Sequence, residues 1–504
     1  MKLKVILFLG FGFVLAAQTL PAQSFRFPWS CYGHGAQHDG ISSTPSQPLS
    51  RIVWQTSLDL SPPGGDELTI HYGSPLITRS NSVIVSVKTQ SGGEFVVKSL
   101  VGATGATKWS QPTDYILPPH DWIPSYSPAL TPRNRLYFPG GGGTVYYCDT
   151  PDAAASPVIG QLAFYGLSNY SANSNTYLAK VFIDTPITAD RYGNIFFGFQ
   201  VTGSTPASLR GGLARIDYDG SGTWISASNA VHNVNIGKVT QNCAPALSND
   251  HKTLYVAVNS TNYHAYLLAL DSRTLAVLNF VRLKDAHFPA NDANLGDNGS
   301  SSATVGPDGD VYFGVQENPL QSNNNRGWLL HFDSTLTQTK LPGAFGWDAT
   351  PSVVPASMVP SYHGASSYLL VTKYNNYADS GGDGVNKMGI LDPQDSMTDP
   401  VTGISVMKEI LTIAGQTPDP DYTATFPNAV YEWCINSAAV DPFTKSILVN
   451  NEDGKLYRWD VTSNTLSETL VLTSGTGEAY TPTAIGVDGL VYAINDSIVF
   501  AVGR

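Results

Sequence analysis

A small residue followed by proline recurs along this chain, each time opening a short apolar segment, and that recurrence restricts the fold more than any other feature. It appears as Ser74-Pro75, Ser127-Pro128, Thr185-Pro186, Ala244-Pro245, Thr350-Pro351 and Thr481-Pro482. Ser302-Ala303 and Ser437-Ala438 stand where the spacing requires further copies, which gives eight copies with a period of about 58 residues. A strand-rich repeat of this length predicts blades arranged around an axis: an all-β, eight-bladed β-propeller of four-stranded antiparallel blades.

Within each copy an apolar strand is followed by a turn and then by a second strand rich in aromatic and β-branched residues, such as Leu136-Tyr137-Phe138, Leu254-Tyr255-Val256, Val311-Tyr312-Phe313 and Val491-Tyr492-Ala493. Asp308-Gly309 and Asp488-Gly489 lie between first and second strands and suit the positive φ of a tight hairpin. Six copies end the third strand on an aspartate: Asp149, Asp217, Asp271, Asp333, Asp392 and Asp460. An Asp there accepts hydrogen bonds from its own turn and fixes the hairpin into the fourth strand. Trp109 and Trp224 mark fourth strands and are expected to pack between blades. Long segments at Asn323-Asn324-Asn325, Gly381 to Gly384 and Asp392 to Val401 read as loop insertions.

The last copy has room for three strands only. Arg51 to Thr56 has fourth-strand character and precedes the first copy, so it is expected to complete the last blade and remove the open sheet edges. The organisation is then a signal peptide at 1–22, an irregular leader at 23–50 and one propeller at 51–504. The signal peptide is read from Met1-Lys2-Leu3-Lys4, the apolar run Val5 to Ala17 and a small-residue cut after Ala22, and it predicts a secreted or periplasmic protein. No cysteine stands just after the cut, the first being Cys31, and no later stretch reaches spanning length, so no membrane anchor is expected. Cys31, Cys148, Cys243 and Cys434 permit up to two disulfides of undetermined connectivity.

A net charge of −12 argues against nucleic acid, whose recognition needs clustered Lys and Arg. Only 13% of residues are charged, about half the usual ~25%, which fits a turn-rich β protein.

The segment from Ser99-Leu100 through Thr104-Gly105 to Trp109, and the leader from Trp29-Ser30-Cys31-Tyr32-Gly33-His34 to Gln37-His38-Asp39-Gly40-Ile41-Ser42, resemble the PQQ-like, or quinoprotein alcohol dehydrogenase-like, β-propellers. Val101 stands where that family usually has an aspartate. The resemblance covers nearly all of the chain beyond the signal peptide and implies the propeller fold. Catalytic members hold PQQ beneath a disulfide of adjacent cysteines and bind calcium through Glu, Asn and Asp. This chain has no adjacent cysteine pair and no Cys-x-x-Cys-His. The expectation is therefore a non-catalytic, monomeric binding or scaffolding propeller for a protein or glycan partner. A PQQ and calcium-dependent oxidoreductase stands second, and a polysaccharide hydrolase or lyase third.

Loops that precede the repeat marks surround the channel mouth, which makes them the place to seek a ligand site. They carry His120-Asp121-Trp122, Trp347-Asp348, Glu432-Trp433 and Tyr480, with Asp66, Glu67, His71, Tyr72 and Glu478 nearby. Rings beside carboxylates suit a sugar, although such rings also serve as channel plugs. Asp121, Asp348 and Glu432 are the carboxylates from which an acid-base pair would be drawn. Asp292, Asn294 and Asp297, with Asn298, offer hard oxygen ligands for calcium, without EF-hand spacing and in a composition that also favours turns. His34 and His38 are surrounded by glycines, so a loop with separate structural roles is expected there. Asn169, Asn259 and Asn298 begin glycosylation acceptor patterns.

Overall fold

A computed structural model describes residues 29–61, 73–90, 92–120, 125–297, 299, 301–474 and 479–504. The signal peptide, Asp66, Glu67, His71, Tyr72, Asp121, Trp122, Asn298 and Glu478 lie outside the described residues. The described chain forms eight antiparallel sheets in sequence order, six of them opening just after a repeat mark and the third and fourth with a short strand before it as well. Arg51–Ser57 pairs with Ile498–Gly503, so the first strand closes the last blade as expected. All four cysteines are buried free thiols, and no disulfide forms among them. No helix of the described residues is long and apolar enough to cross a membrane.

The repeat residues have clear physical tasks. Second-strand tyrosines bury their rings and send hydroxyls to the next blade: Tyr255 donates to the Ser334 carbonyl (2.6 Å), and Tyr312 and Tyr368 share a bond of 2.6 Å. Trp54 donates to the Gly102 carbonyl (2.6 Å) and Trp109 to the Pro151 carbonyl (2.9 Å), so these indoles tie a fourth strand to the following blade. Trp224 instead meets Phe199 of its own blade edge to face. Four of the six third-strand aspartates accept backbone bonds from their own turns: Asp271, Asp333, Asp392 and Asp460. Asp149 and Asp217 pair with Arg135 and Arg215 instead.

Two blades depart from the expected pattern. The fifth has three regular strands, and its outer edge continues only as isolated bridges at Leu329–Gly343 and Phe332–Thr339. Pro342 has no N–H to give a regular fourth ladder there. In the sixth, the segment after Asp392 is not a loop insertion but a longer hairpin, with Lys387–Thr398 paired to Ser405–Ala414 across bulges.

The leader from Trp29 to Ser50 has no regular strand or helix and lies against the innermost strands. It makes a circuit at the far ends of the innermost strands, away from the marks. Ile77 of blade 1 donates its N–H to the Trp29 carbonyl and Leu130 of blade 2 to Ser30. Leu247, Val305, Val353 and Val440, of blades 4 to 7, donate in turn to Ala36, Gln37, Asp39 and Gly40. At blade 3 the Ala189 backbone meets the Cys31 sulfur, and at blade 8 Gln47 donates to the Gly489 carbonyl. Gly40 is required by this path, because a Cβ there would sit 2.5 Å from the Ser352 hydroxyl oxygen at a φ of +64°. His34 bonds Asp39 (2.9 Å) and His38 bonds the Ala303 carbonyl (2.7 Å), so the two imidazoles act separately, as anticipated. Tyr32 is fully buried in the channel, with its hydroxyl donating to Asn436 Oδ1 and lying 3.4 Å from Thr350 Oγ1.

Removing that hydroxyl leaves buried acceptors short of a donor. Tyr32→Phe is expected to lower stability by about 1–2 kcal/mol with the fold retained. Calorimetric unfolding checks this, and an unchanged midpoint would deny the leader its anchoring role.

Candidate functional site

The mouth is built on a belt of polar groups at the repeat marks, which bonds blades 4 to 8 in succession. Ala244 N–H donates to Ser302 Oγ (2.8 Å), Ser302 N–H to Thr350 Oγ1 (2.9 Å), Thr350 N–H to the Asn436 carbonyl (3.1 Å) and Thr483 N–H to the Ser437 carbonyl (3.2 Å). Short hydroxyl side chains suit this belt because they fit a crowded axis and still offer an acceptor.

Over blades 5 to 7 the loops before the marks bring several expected residues together. Asp348 is buried and lies 3.4 Å from the buried Lys373 ammonium. Trp347 is half-buried and meets Tyr377 edge to face at 6.2 Å. Trp433 is fully buried, held by a two-way bond with Asn375 (3.2 and 3.3 Å), with its ring against Tyr457. Tyr480 is half-buried at the last mark. On either side of Trp433, Glu432 and Cys434 meet Glu452 from the turn after the second strand of blade 7. Cys434 Sγ lies 3.8 Å from Glu432 Oε2 and 3.5 Å from Glu452 Oε2, with the three ligand atoms within 4.8 Å of one another. Burial, joined by the charge of Glu452 and opposed by Lys373, pushes the Glu432 carboxyl up to about 8. The trio can share a proton, and its donor set would also accept a divalent cation.

The other expected residues fall on the opposite side of the mouth. His120 is half-buried and bonds the Pro118 carbonyl (2.7 Å). It lines an open cleft of about 390 Å³ between blades 3 and 4 with Gln200, Asn235, Lys238, Asn259 and Asp297. Lys238 and Asp297 pair at 2.7 Å, and Asn259 donates to Asp297 (3.3 Å). Behind the cleft Asp184 is fully buried, and neither carboxyl oxygen has a hydrogen-bond partner among the described residues. Burial, against the pull of Lys238 and with the push of Asp297, raises its carboxyl to about 7.

The residues expected to hold calcium are engaged elsewhere. Asp292 is met by Lys284 (2.7 Å), His264 (2.8 Å) and Arg282, and Asn294 donates to the Glu317 carbonyl (2.8 Å). With Asp297 committed to Lys238, a cation at this loop would compete with several basic groups. Asn259 is buried and bonded to the Leu295 carbonyl (3.1 Å), which removes it as a glycan acceptor.

Sequence reasoning missed Lys373, Glu452, Gln200 and Lys238. Lys373 carried a readable signal, a lysine inside the otherwise uncharged strand Tyr368–Tyr374. Glu452 had none, since an acid in a turn is ordinary.

No family model matches the chain. No curated protein matches it. Among solved structures it is similar to a europium-containing methanol dehydrogenase, with 10% identity and a TM-score of 0.55 over 92% of this chain and 88% of that one. It is also similar to the quinohaemoprotein alcohol dehydrogenase of Comamonas testosteroni, with 12% identity and a TM-score of 0.56 over 96% of this chain and 78% of that one. At these identities the likeness is one of fold: the chain has the eight-bladed propeller of the quinoprotein alcohol dehydrogenases.

Glu432 and Asp184 both hold a proton more tightly folded than unfolded, so the stability they contribute is complete at low pH and is lost as pH rises. The window runs from 4.5 to about 8 for Glu432 and from 3.8 to about 7 for Asp184. The thermal midpoint of the wild-type chain should therefore fall across that range. Glu432→Gln is expected to flatten the fall and to raise the midpoint by a few degrees in alkali, and a pH series of unfolding curves measures both.

Proposed function

We propose that this chain is an exported, non-catalytic binding propeller that presents its channel mouth to a glycan or protein partner. One observation carries the reading: the channel beneath the mouth is occupied by the chain's own leader, with Tyr32 and His38 fully buried inside it. Binding is then left to the mouth loops, and the cleft between blades 3 and 4 is the part suited to a ligand. The amides of Gln200 and Asn235 and the hydroxyls of Ser260 and Thr261 surround the Lys238–Asp297 pair. Such a set donates to and accepts from adjacent hydroxyls of a sugar ring in the plane of the ring.

A quinone-dependent oxidoreductase is the second reading, favoured by the fold likeness and by the acidic trio at Glu432, Cys434 and Glu452. The residues present do not fit a quinone held beneath a vicinal disulfide. Cys31, Cys148, Cys243 and Cys434 are remote in sequence and are buried as free thiols. No reaction step is therefore derived through that group.

Thermal unfolding of the mature chain with an oligosaccharide panel, and separately with PQQ and calcium, tests both readings. A ligand at a hundred times its dissociation constant adds ~2.7 kcal/mol to the folded state. A glycan is expected to raise the midpoint, and Lys238→Ala with Asp297→Ala should weaken its binding about tenfold or more, equivalent to ~1.4 kcal/mol. If PQQ with calcium raises the midpoint and Glu432→Gln abolishes the rise, the oxidoreductase reading replaces this one.

A further inference from the structure

The face opposite the mouth carries a second cleft in the same seam. It encloses about 680 Å³ between blades 3 and 4 and is lined by Asp190, Tyr192, Arg215, His251, Lys252 and Arg273, with Asn194, Asp271 and Ser272. The lining sets three cations, Arg215, Lys252 and Arg273, against two acids, Asp190 and Asp271, in a chain of net charge −12.

The two acids of the lining are committed to their own turns. Asp190 accepts from the backbone of Tyr192 (2.8 Å) and Asn194 (2.9 Å) and from the Asn194 amide (2.7 Å). Asp271 accepts from the backbone of Arg273 (3.0 Å) and Thr274 (2.9 Å) and from the Thr274 hydroxyl (2.8 Å). The donors of the cleft are left over. Arg215 is only 5% exposed and spends one nitrogen on Asp217, yet its Nε is buried without a hydrogen-bond partner among the described residues. His251 Nδ1 is buried in the same condition. Burial and the neighbouring Arg191 hold that imidazole below its ordinary pKa. Lys252 is exposed, its ammonium pairs with the exposed Asp250 (3.1 Å), and it lies with the exposed Arg273 at the rim.

A buried guanidinium N–H without an acceptor costs stability unless something occupies it. A planar guanidinium fork is matched by an oxyanion. Tyr192, 58% exposed, offers a flat ring at the same cleft, with the Arg191 guanidinium over the ring at 5.2 Å.

We propose that this cleft is an anion-binding site, independent of the mouth, which takes the carboxylate or sulfate of an acidic saccharide with Arg215 and Arg273 on the oxyanion and Tyr192 against the sugar ring. A free inorganic oxyanion would offer the same charged group without the ring.

Titration calorimetry at low salt with an oligogalacturonate, a sulfated disaccharide, a neutral disaccharide and inorganic sulfate tests it. The acidic saccharides are expected to bind and the neutral one not to, with affinity falling steeply as salt is raised. The exposed pair Lys252→Glu with Arg273→Glu should weaken binding at least tenfold without altering the unfolding midpoint, and Tyr192→Ala should weaken the saccharides but not inorganic sulfate. Arg215→Gln should abolish binding if the variant folds. Lys238→Ala with Asp297→Ala, at the mouth, should leave these titrations unchanged, so the two sites fail or succeed separately. Absence of binding by all the anions, or binding indifferent to the Lys252 and Arg273 changes, would overturn the proposal.

Discussion

The structure depends on how the inner edges of eight sheets are satisfied. The first strand of every blade faces the channel with one side unpaired, and a buried N–H without an acceptor costs about as much as a lost hydrogen bond. The leader supplies the missing acceptors as a strip of carbonyls, from Trp29 at blade 1 to Gly40 at blade 7, so a segment without regular structure is held by the most regular feature of the fold. The same circuit places Tyr32 and His38 inside the channel. A ligand must then meet the molecule at the mouth or on the outer seams.

The repeat mark follows from the same constraint at the other end of the strand. Proline has no N–H to leave unpaired toward the axis, and its fixed φ suits the start of an edge strand. The residue before it is short, and its hydroxyl links blade to blade at Thr350, before Pro351, and at Ser302, in the copy where alanine replaces proline. A larger side chain would crowd the axis.

This explains what was legible in the sequence. The marks, the second-strand tyrosines and the closing strand at Arg51 repeat because each blade faces the same requirement, and repetition is visible without a structure. The leader's part was not legible, since its work is done by backbone carbonyls that any residue supplies. The site was legible in half. Trp347, Asp348, Glu432 and Trp433 could be found because they precede marks. Their partners Lys373 and Glu452 lie on a second strand and its turn, and only the blade's closure brings them within reach. At the loop of Asp292 the same holds: Arg282, Lys284 and His264 reach the carboxylate from segments on which the loop's own spacing is silent.

Blades 3 and 4 carry both proposed binding surfaces, and their sheets differ from the others in one respect. Each has an additional short strand against the second strand, Val181–Ile183 in one and Lys238–Val239 in the other. The inner strand is thereby split, with Asp184 to Pro186 and Thr240 to Pro245 lying between its two pieces. The outer piece carries the sheet farther toward the mouth, where it sets Lys238 on the cleft wall, and the interruption leaves the Asp184 carboxyl and the Thr240 hydroxyl buried without hydrogen-bond partners among the described residues. A seam that reaches beyond its neighbours at one end departs from the repeat, and in a fold of repeated blades such a departure is a physical mark of a place kept for something other than stability.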